Sequence, residues 1–217
     1  PIYAPFKWRG WQDYGTGALG DMACHTMNLP YMGLKLGSPA RVEVIGISEY
    51  NPETFPIWSK IKYEFPQRGD LPPCTLIWYD GGALPPAELF EDGVRKNSGV
   101  LLVGDKGKMY SPDDYGEQQI LEPKKSFDGY KPPAPSIPRS PGHHAEWIRA
   151  AKDGPPAMSN FIDYAVPLTE MVLLGNVAMQ AGSAIEYDPR SMKIPNQPGA
   201  EKYLYRGYRK GWSPQEI

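Results

Sequence analysis

Asp21 and His25, with Asn28 three residues further on, are the residues of this chain whose types and spacing could do chemistry. Four residues is one helical turn plus a little, so on a helix the carboxylate and the imidazole stand one above the other, roughly 6 Å apart. A carboxylate beside an imidazole favours the protonated ring and can fix its tautomer. That suits a histidine that takes and returns a proton near neutral pH. Asn28 continues the stripe, while Leu19, Met22, Ala23, Thr26 and Met27 fall on the opposite face, the one a helix buries. The acid, the histidine and the amide therefore point away from the core. The same spacing also describes an ordinary solvated pair on a helix surface, and spacing alone leaves both readings open.

The element that must position this pair opens with Gly15-Thr16-Gly17-Ala18-Leu19-Gly20, a letter-for-letter match to the G-x-G-x-x-G dinucleotide fingerprint. A dinucleotide turn follows a buried parallel strand, which reads as a run of Val, Ile and Leu. Residues 1–14 offer only Ile2 of that kind, and the chain does not go on to alternate strands and helices. The glycines therefore read as a tight, backbone-permissive entry to a helix. Residues 1–14 form an aromatic arm punctuated by prolines, with Trp8, Arg9, Trp11 and Tyr14 arriving just before that helix. Their rings could stack on a sugar or roof a core. The helix is expected to begin near Gly17 and to break before Pro30, with a kink or a second short helix to Leu36 and a stop at Gly37-Ser38-Pro39.

From Ala40 the period changes to two. Val42, Val44, Ile45 and Ile47 give one strand and residues 58–65 a second, with Ile61, Tyr63 and Phe65 on one side and Lys60, Lys62 and Glu64 on the other. Residues 75–80 give a third, ending at the turn Asp80-Gly81-Gly82. Short connections argue for antiparallel pairing in one sheet, one face covered by helices and the other facing water or a partner. Residues 99–110 read as a hairpin around Gly-Asp-Lys-Gly, since the phosphate-loop pattern is not met. From Leu121, Pro123, Pro132, Pro133, Pro135, Pro138 and Pro141 imply a long extended loop. Residues 140–154 read as a helix with Pro141 in its first turn. Residues 164–181 read as the main core helix, with Val166, Leu168, Met171, Val172, Leu174, Val177, Ala178 and Met179 inward. A strand at 184–187 and an extended tail at 188–217 complete one domain spanning 1–217.

A length of 217 residues suffices for one sizeable core, and a net charge of −2 gives no electrostatic footprint for nucleic acid. Glycine and proline together, 23 and 25 residues, imply long shaped loops anchored by aromatics. His25, His143 and His144 are all the histidines. Three imidazoles could in principle hold zinc, but His143 and His144 are better placed as pocket-rim or surface residues, so no metal is expected. Cys24 and Cys74 set no disulfide framework, Cys24 being expected small and buried. No segment is expected to reach the apolar length of a membrane span. The chain opens on Pro1 without Met and reads as a piece or product of a longer parent.

Five motifs in order carry a resemblance. They are Trp8-Arg9-Gly10-Trp11; Asp13-Tyr14-Gly15-Thr16-Gly17-Ala18-Leu19-Gly20-Asp21 with His25; Trp78-Tyr79-Asp80-Gly81-Gly82; Ser140-Pro141-Gly142-His143-His144 with Glu146-Trp147; and Pro167-Leu168-Thr169-Glu170 with Leu173-Leu174-Gly175-Asn176. Together they resemble the C-terminal domain of Gfo/Idh/MocA oxidoreductases of the bacterial branch, over nearly the whole chain. The resemblance implies an α+β fold with an open, mostly antiparallel sheet, helices packed on one face, and a homo-oligomer formed through the other. It implies that Asp21 and His25 are the catalytic pair; Trp8, Arg9, Trp11, Tyr14, Asn28, His143 and His144, from the arm, the helix stripe and the pocket rim, are the candidates for binding a sugar, polyol or glycoside. One of its hydroxyls would lose a proton to the histidine as hydride passes to NAD or NADP. The family's dinucleotide-binding domain and its Glu-Lys-Pro lysine are not in this chain, and Glu122-Pro123-Lys124 is no substitute. The chain alone is therefore expected to be inactive and to bind NAD(P) weakly or not at all. Two alternatives stay open: net hydrolysis or elimination through transient oxidation, and a non-catalytic carbohydrate-binding or assembly module. A periplasmic parent and a cytoplasmic one are both compatible with the resemblance.

Overall fold

The alternation along the second strand fixes the main sheet. In β2 (Ser59–Phe65) the residues Ser59, Ile61, Tyr63 and Phe65 are buried, and Lys60, Lys62 and Glu64 lie on the opposite face. The structure, a computed structural model, describes residues 2–213. β2 pairs antiparallel with β1 (Arg41–Ile47) and β3 (Cys74–Tyr79), and β1 pairs with β7 (Ile185–Glu186), in the order β3-β2-β1-β7. The tandem Val44-Ile45 interrupts the alternation of β1 because the register shifts between Val44 and Gly46. Ile45 is the residue displaced by this bulge, and it is exposed.

Helices cover one face, as an α+β fold requires. α1 (Gly17–Thr26) and α4 (Val166–Ala181) pack together over the sheet, and Leu19, Val42, Ile61, Met171, Leu174 and Ile185 share one buried cluster. Their close approach depends on Gly175, where a Cβ would stand 2.6 Å from Leu19 Cδ2. Tyr63, fully buried beneath, donates its hydroxyl to Val172 O at 3.2 Å, and burial pushes its phenol pKa far up. α4 is buried on most sides because α1 flanks it, β1 lies below it, and the turn at Pro198–Leu204 closes another side. Val166 departs from the expected inner face and is exposed. The helix stops at Gly182 (φ +66°), whose N–H reaches Ala178 O and Met179 O. α2 (Asn28–Gly33) follows α1 after a break at Met27, with Pro30 in its first turn, where a missing N–H costs nothing.

Four expectations differ from the structure. β4 (Val100–Val103) and β5 (Lys108–Ser111) form the expected hairpin, but they join β6 (Ile120–Glu122) in a second, separate three-stranded antiparallel sheet. β6 and a 3₁₀ turn at Lys124–Phe127 therefore occupy the start of what reads as an extended loop. A three-residue strand is too short to display a period of two. α3 (His143–Ala151) begins after Gly142, leaving Pro141 outside the helix. The π-type turn Phe161–Ala165 and α4 together make 21 residues holding an 18-residue stretch of mean hydropathy 1.2, enough by length and composition to cross a membrane; within the fold, α4 is the core helix.

The other face of the main sheet carries a ladder of charge: Lys62 bridges Glu64 at 2.7 Å and Glu43 at 3.3 Å, and Arg41 reaches Glu43 and Glu186 at 3.8 and 3.9 Å. Lys60 lies 5.9 Å from the ring centres of both Trp58 and Tyr79. After β7 the chain folds back, burying Ile194 and Ala200, while Tyr205, Tyr208 and Trp212 stay exposed. The last four residues of the expected tail lie outside the described residues.

Candidate functional site

Protein atoms, rather than space for a phosphate, surround the glycine entry. At Gly15 a Cβ would stand 2.5 Å from Arg9 O. Gly17 holds φ +68° with the Phe55 ring against it, and at Gly20 a Cβ would collide with the Thr16 side chain. The run therefore exists to let the arm, Phe55 and the first turn of α1 come together. The preceding segment is a 3₁₀ turn at Lys7–Gly10, not a strand. Thr16 O accepts from Asn176 Nδ2 at 2.9 Å, which ties the start of α1 to α4. Beside it, a cavity of about 10 Å³, no larger than one water, reaches from Gly17 to Asp80. Asp80 itself is structural, accepting from Ser59 Oγ at 2.9 Å and Trp78 Nε1 at 2.8 Å.

α1 then places Leu19, Ala23 and Thr26 inward, Asp21 at partial exposure and His25 in solvent, the division that 3.6-residue periodicity predicts. The expected acid–histidine couple is not formed. Asp21 Oδ2 instead lies 2.9 Å from Arg9 Nε, with side-chain exposures of 35 % and 26 %. The Nε–H is not aligned for a hydrogen bond, so the contact is an ion pair. A fixed guanidinium outcompetes an imidazole for the carboxylate, and Arg9 is already held, donating to Phe6 O at 2.7 Å and stacked 3.8 Å over the Phe6 ring. Asp21 is thus the anchor of the arm. Cys24, half-buried rather than buried, points its thiol toward Asp21 O at 3.5 Å.

The arm brings Trp8, Arg9, Trp11 and Tyr14 next to the start of α1. Trp11 is partly covered by Tyr3 at 4.8 Å, and Tyr14 meets Tyr3 edge-on at 5.8 Å, whereas Trp8 and Tyr14 remain exposed. Gln12 N–H donates to Glu53 O and Phe55 N–H to Gly10 O, which lays the arm against residues 50–55. Asn28 is exposed at the head of α2, where its side-chain oxygen accepts from the Tyr164 hydroxyl. Burial, and then the neighbouring Tyr31, raise the Tyr164 pKa. His143 and His144 stand exposed on α3, their rings 6.4 Å apart, and among the described residues no contact joins them to His25. No group of three or more His, Cys, Asp or Glu among the described residues is placed to hold a metal ion.

The structure adds a neighbour that sequence reasoning missed. The Tyr115 ring meets His25 edge-on at 5.6 Å, delivered by the loop that follows β5. Asp113 organises that loop, its carboxylate accepting from the N–H groups of Tyr115 at 2.8 Å and of Glu117 and Gln118 at 3.0 Å. These bonds, Gln118 foremost, hold its carboxyl at about 2. Asp114 Oδ1 accepts from Thr26 Oγ1 at 3.0 Å and also from Ser98 Oγ. The run Ser-Pro-Asp-Asp-Tyr-Gly signals a turn in the sequence, yet no local pattern says which helix, 90 residues earlier, that turn will touch.

A family model described as an oxidoreductase family, C-terminal alpha/beta domain, matches residues 4–214. No curated protein matches the chain.

Proposed function

We propose, since this chain belongs to the Gfo/Idh/MocA family of oxidoreductases as its C-terminal α/β domain, that it carries the substrate side of an NAD(P)-dependent active site acting on a hydroxyl of a sugar, polyol or glycoside. The observation that supports this most is the exposed position of His25 on α1, with Tyr115 against its ring and the Arg9–Asp21 pair one turn away. In this reading His25 accepts the proton of the substrate hydroxyl as the carbinol carbon is oxidised. Asp21 is a positioning residue that holds Arg9 and, with it, the rings of the arm along the approach to His25. Trp8 and Tyr14 offer aromatic faces to the apolar side of a sugar ring.

NAD(P) supplies the hydride acceptor in such a reaction. Positions 15, 17 and 20 are filled by Arg9, Phe55 and Thr16, so these glycines do not fit a dinucleotide diphosphate. The cofactor would therefore be held chiefly by a separate dinucleotide-binding domain.

The test is NAD(P)H formation by the full-length protein against a panel of sugars and polyols, with and without His25→Ala. Loss of the general base is expected to lower kcat by roughly 10²–10⁴-fold. Full turnover by the variant would refute the assignment, and a panel that binds without turning over would indicate a carbohydrate-binding module.

A further inference from the structure

An exposed histidine on a helix is free to rotate about both side-chain torsions, and a proton acceptor needs a fixed ring. The usual device is an acid bonded to the second ring nitrogen. Here the nearby acid is committed elsewhere, because Asp21 pairs with Arg9. The group that touches the imidazole is Tyr115, edge-on at 5.6 Å with an interplanar angle of 72°.

Tyr115 does not arrive on a loose loop. Asp113 gathers three backbone N–H groups beneath it and accepts a fourth bond from Ser111 Oγ at 3.2 Å, and Ser111 itself is fully buried in the small sheet. Asp114 ties the loop to Thr26, the residue directly after His25, at 3.0 Å. On the other side Gly116, at φ +73°, lies against Leu29, where a Cβ would stand 3.3 Å from Leu29 Cδ1. The backbone of Tyr115 is therefore clamped between fixed points on α1 and α2, while the residue as a whole remains 68 % exposed. A side chain whose backbone is held this firmly, and whose ring meets one other ring among the described residues, the imidazole, spends its contact there.

We infer that Tyr115 is a positioning residue for His25: the small sheet presents its ring, through the loop built on Asp113, to hold the imidazole in the orientation in which it accepts a proton. This rests on the reading of His25 as the base, and it assigns the second sheet a part in that site.

The ring contact is read directly by nuclear Overhauser effects between the His25 and Tyr115 ring protons in the full-length protein, with no ligand present. They are expected in the wild type and in Tyr115→Phe and lost in Tyr115→Leu. Asp113→Asn is expected to weaken them with Tyr115 itself unchanged. On the panel substrate with the highest turnover, Tyr115→Leu is expected to lower kcat roughly ten- to hundredfold with KM within about twofold, as displacement of a reacting group does. Tyr115→Phe is expected to restore kcat, and Tyr115→Leu is expected to have no further effect once His25 is alanine. Absent ring contacts in the wild type, contacts of undiminished intensity in Asp113→Asn, a change confined to KM, or an undiminished Tyr115→Leu effect without His25 would each overturn the inference. A silent His25→Ala alongside intact ring contacts would instead count against the proton-acceptor role.

Discussion

If Asp21 anchors the arm rather than orienting His25, its energetic partner is Arg9, and a double-mutant cycle can measure that. At 2.9 Å and an effective dielectric near 20, the gross attraction is about 6 kcal/mol. Both side chains keep a quarter to a third of their surface in water, and the misaligned Nε–H forgoes a strong hydrogen bond. Desolvation and lost rotamer freedom reduce the net coupling to about 1 kcal/mol, or about fivefold in an opening equilibrium. The coupling should appear locally, in the amide exchange of Gln12 and Gly15, whose N–H groups bond Glu53 O and Trp11 O. Arg9→Ala and Asp21→Ala should each speed that exchange, and the double variant should be protected by about fivefold relative to the product of the two single effects. Additive effects, or a larger coupling of Asp21 to His25 in a second cycle, would refute the reassignment of the carboxylate.

Further outcomes follow from the packing. Leu19→Ala, emptying the contact of α1 with Gly175 and the main sheet, should cost about 2–5 kcal/mol in urea denaturation. Gly182→Ala meets no neighbouring atom but must hold φ +66°, so it should cost about 1 kcal/mol by the same assay. The carboxyl of Asp113 is lowered from 3.8 to about 2 in the fold. Its contribution is therefore present above the unfolded value and lost as pH falls from about 4 through 2, which amide exchange at Glu117 and Gln118 should register as loop opening ahead of the core.

Much of the fold was readable from local pattern, because the deciding signals are local. The alternation of Ser59–Phe65, the stop at Gly182 and the break before Pro30 each act within one turn or one strand. What eluded the sequence depended on distant partners. The Asp21–His25 spacing was read correctly as a shared helix face, but the carboxylate was claimed by an arginine twelve residues earlier that an aromatic ring already held in place. The glycine entry mimicked a nucleotide motif because close backbone approach demands the same residue whichever atoms approach. Tyr115 was invisible for the reason β6 was: the second sheet is short-stranded, it meets α2 through β4, and its loop reaches α1 through single side-chain bonds such as Asp114 to Thr26.

The charged face of the main sheet has its own consequence. Arg41, Lys60 and Lys62 balance Glu43, Glu64 and Glu186, and Lys62 and Arg41 between them already reach all three carboxylates within the same molecule. Such a surface is electrically self-contained: a macromolecule covering it would find no excess of either sign to steer by and would release few counterions. Contact there would be governed by shape and by rim residues such as Ile45 and Ile77, and would persist with little change from dilute buffer to high ionic strength.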